Sequence, residues 1–355
     1  MLIKRIHLCN FRKFNNFSIE FGQNINFLVG FNGVGKTSVL EGISVLAHGR
    51  SFKTSNLDDT VTAGQEESLL FGEFEIKKTQ KSIKVLNSKH YKKIWVDNAM
   101  IQRMSDLVGI VDVVAFSSYD LMSFLRSPYE RRKMFDLFIC NFDHNYLIDL
   151  KKYNKLVKEK NKVLKGIYEE TDIKTESLLE VLDEQLFILN KRINAIRTEY
   201  VESINDLLNK IIDVGKFEFD AIKIKLVSAI TRTTTYSDFL KNRIQDKKNA
   251  SCHFGIHKDD FRIFNNDMDI CIYGSQGQVK LSLILLKLAV AVHINRNKQT
   301  NPILVLDDIM GDLDVDKQNE LLKTLQNGWQ VVISTPAILN LDKNIIKNSN
   351  IIEIE

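Results

Sequence analysis

The rhythm of apolar and polar positions changes along the 355 residues. Residues 1–120 carry short apolar runs broken by turns, the spacing of strands. Among them Ile25-Asn26-Phe27-Leu28-Val29 leads straight into a glycine-rich stretch at 30–37 that opens a helix. This is a βα unit of an α/β fold. From about Pro128 the spacing lengthens: Tyr146, Leu150, Tyr153, Val157, Lys160, Leu164 and Ile167 step alternately by four and three, a heptad rule broken once, by Lys160. Leu179, Leu182, Leu186, Leu189, Ile193, Ile196 and Tyr200 keep the same rule unbroken. The segment Tyr168-Glu169-Glu170-Thr171-Asp172 is polar and short enough to reverse the chain, so the two helices are expected to pair antiparallel as a hairpin arm. From 270 onward strand-like runs return in Ile303-Leu304-Val305-Leu306, opened by Pro302, and in Gln330-Val331-Val332-Ile333-Ser334. The expected organisation is an α/β head with an inserted helical, coiled-coil-like arm. Its N-terminal part spans 1–125, the arm 126–215 and its C-terminal part 216–355.

Composition narrows the class of protein. With 44% apolar and 26% charged residues the chain reads as an ordinary soluble globular protein. A formal net charge of only +4 means that any nucleic-acid contact must come from a local patch. Cys9, Cys140, Cys252 and Cys271 lie far apart with no paired spacing for zinc or a disulfide framework, as expected of reduced thiols. The first residues lack a signal peptide's apolar core, and no window holds about 18 uninterrupted apolar residues. No membrane partner and a cytoplasmic location are expected.

Three motifs carry chemistry. Gly30-Phe31-Asn32-Gly33-Val34-Gly35-Lys36-Thr37, with Ser38 behind it, matches the phosphate-binding loop G-x-x-x-x-G-K-[ST]. Loop amides and the helix N-terminus surround phosphates, Lys36 reaches the β/γ oxygens, and Thr37 ligates Mg²⁺. Ile303-Leu304-Val305-Leu306-Asp307-Asp308 is an apolar strand ending in two carboxylates. A hard cation on phosphate oxygens needs one acid and an attacking water another, so Asp307 is assigned to Mg²⁺ and Asp308 to the water. Tyr273-Gly274-Ser275-Gln276-Gly277-Gln278 precedes a long apolar helix, a small-residue helix start whose amides suit an anion.

The order of these motifs, with a coiled coil between the first and the other two, is that of the SMC-like ABC ATPases. Within that group the chain resembles the RecF family nearly end to end. The likeness rests on Asn10-Phe11-Arg12, Gly49-Arg50-Ser51-Phe52-Lys53, Pro128 with Arg131-Arg132 and Phe135-Asp136, and His257-Lys258-Asp259-Asp260. It continues into Leu306-Asp307-Asp308-Ile309-Met310-Gly311-Asp312-Leu313-Asp314, similar to the family's Walker B and D-loop. Phe31 stands where the family often has Glu, Ile256 and Lys258 replace Pro and Arg, and Gly311-Asp312 replaces Ser-Glu in the D-loop. None of these changes removes a phosphate or metal ligand.

The resemblance implies an SMC/ABC-type P-loop ATPase head in which ATP and Mg²⁺ are shared between two subunits. The signature residues Ser275, Gly277 and Gln278 would then act in trans, so ATP would drive homodimerisation. It also implies that Arg12 lies near the nucleotide and that Thr335 senses the γ-phosphate. The activity implied is slow ATP hydrolysis that resets a clamp on double-stranded DNA near single-stranded gaps, with RecR- and RecO-type partners helping to place recombinase in DNA repair. The lysine-rich first arm helix, with Lys151, Lys152 and Lys155 foremost, has the local charge to meet DNA phosphates without reading sequence. A transporter ATPase is disfavoured by the heptad hairpin and the non-LSGGQ signature. A nuclease with an SMC-like head would need a second acidic domain, and about twenty residues follow Thr335.

Overall fold

The computed structural model describes residues 1–54, 56–166, 173–215, 221–308, 315–325, 328–338 and 341–355. In chain order, β1 (Leu2–Phe11), β2 (Phe14–Glu20) and β3 (Ile25–Val29) lead into helix α1 (Lys36–His48). Then come β4 (Glu67–Ile76), β5 (Thr79–Ser88), β6 (Lys92–Val96), β7 (Ala99–Met100) and β8 (Val113–Phe116). Helices α2 (Ser118–Arg126), α3 (Pro128–Cys140), α4 (His144–Gly166) and α5 (Ile173–Gly215) follow. The chain continues with β9 (Ile222–Val227), α6 (Tyr236–Lys241), α7 (Arg243–Lys248), β10 (Asp260–Asn265), β11 (Met268–Asp269) and α8 (Ile270–Tyr273). It closes with α9 (Gln276–Lys298), β12 (Ile303–Asp307), α10 (Val315–Leu325), β13 (Val331–Thr335), α11 (Lys343–Lys347) and β14 (Asn350–Glu353).

These elements divide into two units. The head unit holds Met1–Met122, Leu207–Phe219 and Gly274–Glu355, and the arm unit Ser123–Asp206 and Asp220–Tyr273. In the head, an antiparallel sheet in the order β2-β1-β4-β5-β6-β7 and a parallel sheet in the order β14-β3-β13-β12-β8 share one apolar core. A register shift between Ile3 and Arg5 in the β1–β4 pairing lets Ile3 and Ile6 both face inward although they are three positions apart. Helix α1 is buried nearly all round, which is why its sequence shows no polar stripe. The central parallel strands β3, β12 and β13 are almost continuously buried and correspondingly rich in Ile, Leu and Val. Helix α9 is long and apolar enough to cross a membrane, but 78% of that stretch is buried inside the protein, so it is a core helix.

In the arm, α4 and α5 run antiparallel. Phe142 stacks on Tyr200, Arg197 meets Tyr146, Arg192 meets Asp149 and Lys160 meets Asp183, so one partner number rises as the other falls. The turn segment 168–172 lies outside the described residues, as does Ile167. Along α4 the buried positions are Tyr146, Asp149, Tyr153, Leu156, Lys160 and Leu164, while Leu150 and Val157 are half-buried. The break at Lys160 is therefore filled rather than solvated: its ammonium lies 2.7 Å from Asp183 and 2.5 Å from Asp246.

The unit boundaries differ from the sequence expectation. Residues 220–273, expected in the C-terminal part of the head, cluster with the helices of the arm. Strands β9, β10 and β11 form their own small antiparallel sheet, so a return to strand-like sequence did not mean a return to the head's sheets. Phe261 of β10 stacks on Phe135 of α3 with ring centroids 4.1 Å apart, and Arg131 grips Asp260 through two bonds of 2.7 and 2.8 Å. The family-like residues at the arm's base thus meet one another. Arg197 joins Asp136 at 2.8 Å and Asp259 at 2.7 Å, while Tyr153 meets His257 at 2.6 Å.

Candidate nucleotide site

Strand β3 ends at the glycine loop, and α1 starts at Lys36 with Gly35 as its N-cap. Gly35 sits at φ +104°, and a Cβ there would meet the Phe14 ring at 2.5 Å, so both conformation and space require glycine. At Gly30 a Cβ would lie 2.4 Å from the backbone oxygen of Ile354. The first-turn amides of α1 have no acceptor within the helix, and its dipole adds positive potential there. Lys36 donates to the carbonyls of Gly30 at 2.6 Å and Phe31 at 2.9 Å, and burial lowers its pKa against the opposing pull of Asp308 and Asp307. Asn32, Gly33 and Val34 complete the loop, and Phe31 at its tip is 86% exposed.

The sheet order brings the second motif to the first. Strand β13 separates β3 from β12, and Thr37 donates to Asp307 Oδ1 at 2.9 Å across 270 positions of sequence. Asp307 is buried, which raises its pKa; the hydrogen bonds from Ser334 and Thr37 pull it back. Asp308 is exposed, at φ +50°, a left-handed conformation that costs energy in a non-glycine residue and turns it away from its neighbour's environment. Two adjacent acids thus have different surroundings.

Ser334 was not singled out from the sequence. It lies opposite Asp307 in the β12–β13 register, donates to Asp307 Oδ1 at 2.8 Å and accepts from the Asp308 amide at 2.9 Å. A polar residue at the end of an otherwise apolar central strand is the signal that could have found it. Thr335, the expected switch residue, donates to the Ala337 carbonyl at 2.8 Å.

Arg12 occupies the turn between β1 and β2 at φ +55°, held by Glu41 through bonds of 2.7 and 2.6 Å and by the Asp59 carbonyl at 2.8 Å. The Glu41 bond raises its pKa. Glu41, on the buried side of α1, also accepts from Ser51 at 2.5 Å. It too escaped the sequence reading, although a lone carboxylate between Leu40 and Ile43 in an apolar helix marks an inward-facing charge. Since Phe14 and Lys13 of this hairpin flank Gly35, Arg12 lies on the same side of the head as the glycine loop.

Ser275 is the N-cap of α9: its Oγ accepts from the Gln278 amide at 3.2 Å, and Gln278 Oε1 accepts from the Ser275 amide at 2.9 Å. Ser275, Gly277 and Gln278 are exposed, and among the described residues no hydrogen bond joins them to the loop at 30–38. The D-loop segment 309–314 lies outside the described residues. Lys151, Lys152 and Lys155 are exposed on α4, distant in sequence from all of these groups.

The family model for the RecF/RecN/SMC N-terminal domain matches residues 2–348. The DNA replication and repair protein RecF of Clostridioides difficile (strain 630) is 31% identical over 373 residues, covering 100% of this chain and 99% of its own. RecF of Caldanaerobacter subterraneus subsp. tengcongensis is 32% identical over 347 residues, covering 94% of each chain. Among solved structures, the recombination mediator protein RecF with ATP in the RecFOR pathway superposes with a TM-score of 0.85 at 29% identity, over 96% of this chain and 93% of that one. The Smc head bound to the C-terminal winged-helix domain of ScpA, at 14% identity and a TM-score of 0.54 over 99% and 93% of the two chains, shares the fold. With its P-loop, its two-carboxylate strand and its helical insertion all in the matched region, the chain belongs to the RecF family of DNA replication and repair proteins.

Proposed function

We propose that this protein binds and slowly hydrolyses ATP, and that ATP closes two copies of it on double-stranded DNA during recombinational repair, in the cytoplasm. The observation that carries this reading is the 2.9 Å contact between Thr37 and Asp307, which assembles the glycine loop and the carboxylate strand into one polar site around a desolvated Lys36. The loop from Gly30 to Ser38 holds the phosphates, with Lys36 on the β/γ oxygens and Arg12 beside them. Mg²⁺ bound to phosphate keeps several waters and takes only one or two protein ligands. Thr37 and Asp307 suit that need, although no cluster of three or more His, Cys, Asp or Glu occurs among the described residues. When bound, the ion would neutralise developing charge on the phosphoryl oxygens. Asp308, exposed beside the site, polarises the attacking water, and Ser334 holds Asp307 and the Asp308 amide in register.

Ser275, Gly277 and Gln278 present an exposed helix start to the γ-phosphate held by a second copy. Lys151, Lys152 and Lys155 meet the DNA backbone. RecR- and RecO-type mediators are the partners that suit a member of a family with a solved structure described in the RecFOR pathway. Sedimentation with and without ATP tests the two-headed site. Ser275→Arg places a bulky cation where the partner's phosphate docks, so ATP binding persists while dimerisation and hydrolysis fall together. Mixing it with Lys36→Ala restores at most one working site per heterodimer. A Ser275→Arg protein hydrolysing at the wild-type rate as a dilute monomer would refute the shared site.

A further inference from the structure

Arg12 is held more tightly than a turn residue needs. Its backbone lies at φ +55°, a left-handed conformation that costs energy in a residue with a side chain, and its amide donates to the Thr60 carbonyl at 2.6 Å. Asn10, also left-handed at φ +50°, accepts from the Thr62 amide at 2.9 Å, so the turn is fastened on both sides. Glu41 fastens the side chain. Arg12 Nε and Nη2 donate to its two carboxylate oxygens at 2.7 and 2.6 Å, a fork that fixes the plane of the guanidinium. The Glu41 side chain is 1% exposed, whereas that of Arg12 is 21% exposed and open to a ligand. Glu41 Oε1 also accepts from Ser51, whose Oγ takes the amides of Lys53 at 2.8 Å and Thr54 at 3.1 Å, so the loop after α1 holds the carboxylate in turn.

A guanidinium has five N–H donors. Among the described residues Glu41 takes two and the Asp59 carbonyl one, on Nη1, which leaves one N–H on each terminal nitrogen. A donor from each terminal nitrogen suits a phosphate. A buried ion pair adds little stability over apolar side chains of the same volume, so stability alone does not account for a carboxylate between Leu40 and Ile43. We propose that Glu41 is a positioning residue for the nucleotide: it holds Arg12 so that the two remaining N–H groups meet a phosphate of bound ATP. The inference rests on the reading above that puts Arg12 beside the phosphates. Charge and geometry oppose each other here. The carboxylate neutralises the guanidinium and so weakens its pull on phosphate, but it also removes side-chain freedom that binding would otherwise have to remove. Ordering one long side chain is worth roughly two- to tenfold in affinity, whereas a charge partly open to water is screened.

The sign of one measurement separates the two effects. Glu41→Gln keeps the volume and makes the site one charge more positive, so charge alone would tighten ATP binding. Positioning predicts the reverse, a loss of roughly two- to tenfold in calorimetric titration of the folded variant with ATP. Arg12→Gln is expected to weaken ATP binding roughly tenfold, and adding Glu41→Gln to it to change nothing further, because Glu41 acts only through Arg12. If Glu41→Gln does not fold, Ser51→Ala decides: it leaves the ion pair in place and is expected to give a smaller loss, absent on the Arg12→Gln background, and a wild-type affinity would overturn the proposal. A folded Glu41→Gln protein that binds ATP as well as the wild type, or better, overturns the positioning role while leaving Arg12 at the nucleotide. Equal losses from Glu41→Gln with and without Arg12→Gln also overturn it and make Glu41 a residue of the fold alone. An Arg12→Gln protein with wild-type ATP affinity removes Arg12 from the nucleotide site and overturns the reading beneath the proposal.

Discussion

Lys36 in the head and Lys160 in the arm are both buried lysines, yet their surroundings are opposite. Lys36 rests on two backbone carbonyls, has no carboxylate within salt-bridge distance among the described residues, and has a lowered pKa. Lys160 lies between Asp183 and Asp246, over the Phe239 ring at 5.7 Å, and these partners more than offset burial to raise its pKa. The same contrast separates the two units at large. At the nucleotide site Asp307 accepts from the hydroxyls of Thr37 and Ser334 and Asp308 is exposed, whereas the arm closes its charges on one another, with Arg197 held by Asp136, Asp259 and the Ile256 carbonyl. A buried charge left without a counter-charge is waiting for one from outside; a buried charge fully answered holds helices in register.

Lys160→Met is the harshest test of that contrast, because it removes the ammonium shared by two buried carboxylates and leaves Asp183 with Arg243 at 2.6 Å and Asp246 with the His253 amide at 2.7 Å. Loss of about 3–5 kcal/mol of stability is expected in chemical denaturation, with much of it restored when Asp183 and Asp246 are also made apolar. A change near zero in the single variant would mean that the arm's charges are as loosely engaged as those of the head.

Lys36→Ala is expected to do the reverse, leaving stability within about 0.5 kcal/mol while ATP binding weakens by about 1.5–3 kcal/mol, roughly 10- to 150-fold, through loss of charge-assisted hydrogen bonds to phosphate. Calorimetric titration with ATP and a denaturation curve on the same sample check both halves.

The mildest test uses one histidine from each unit. Burial lowers the pKa of His48 to about 3 and that of His257 to about 4. Both are therefore neutral in the folded protein, while the unfolded chain takes up protons below about 6.5. Their contribution is fully present above that pH and is lost as pH falls toward the folded values, about 2 kcal/mol for each at pH 5. His257 is bonded through both ring nitrogens, to Tyr153 and to the Cys252 carbonyl, whereas His48 Nε2 has no hydrogen-bond partner. His48→Gln should thus flatten the pH 5–7 stability profile at little cost at pH 7, and His257→Gln should flatten it while also losing stability at pH 7. Melting temperatures at the two pH values distinguish these outcomes.

The glycine loop, the strands Ile25–Val29 and Ile303–Asp307 and the seam of α5 were legible from the sequence because each depends on neighbours within a few residues. A loop that must turn left-handed needs glycine, a strand buried on both faces needs continuous apolar residues, and a helix seam needs a heptad. Only the tertiary structure decided that Ser334 faces Asp307, that Glu41 holds Arg12 and is itself held by Ser51, and that Lys160 is answered from α5 and α7. It also decided that residues 220–273 build onto the arm: local sequence can call for a strand but does not name its partner, and β10 takes β9 and α3 where the head's sheets were expected. Partners separated by tens to hundreds of positions are chosen by how faces and charges match once the chain has collapsed, and no periodicity within either segment records that choice.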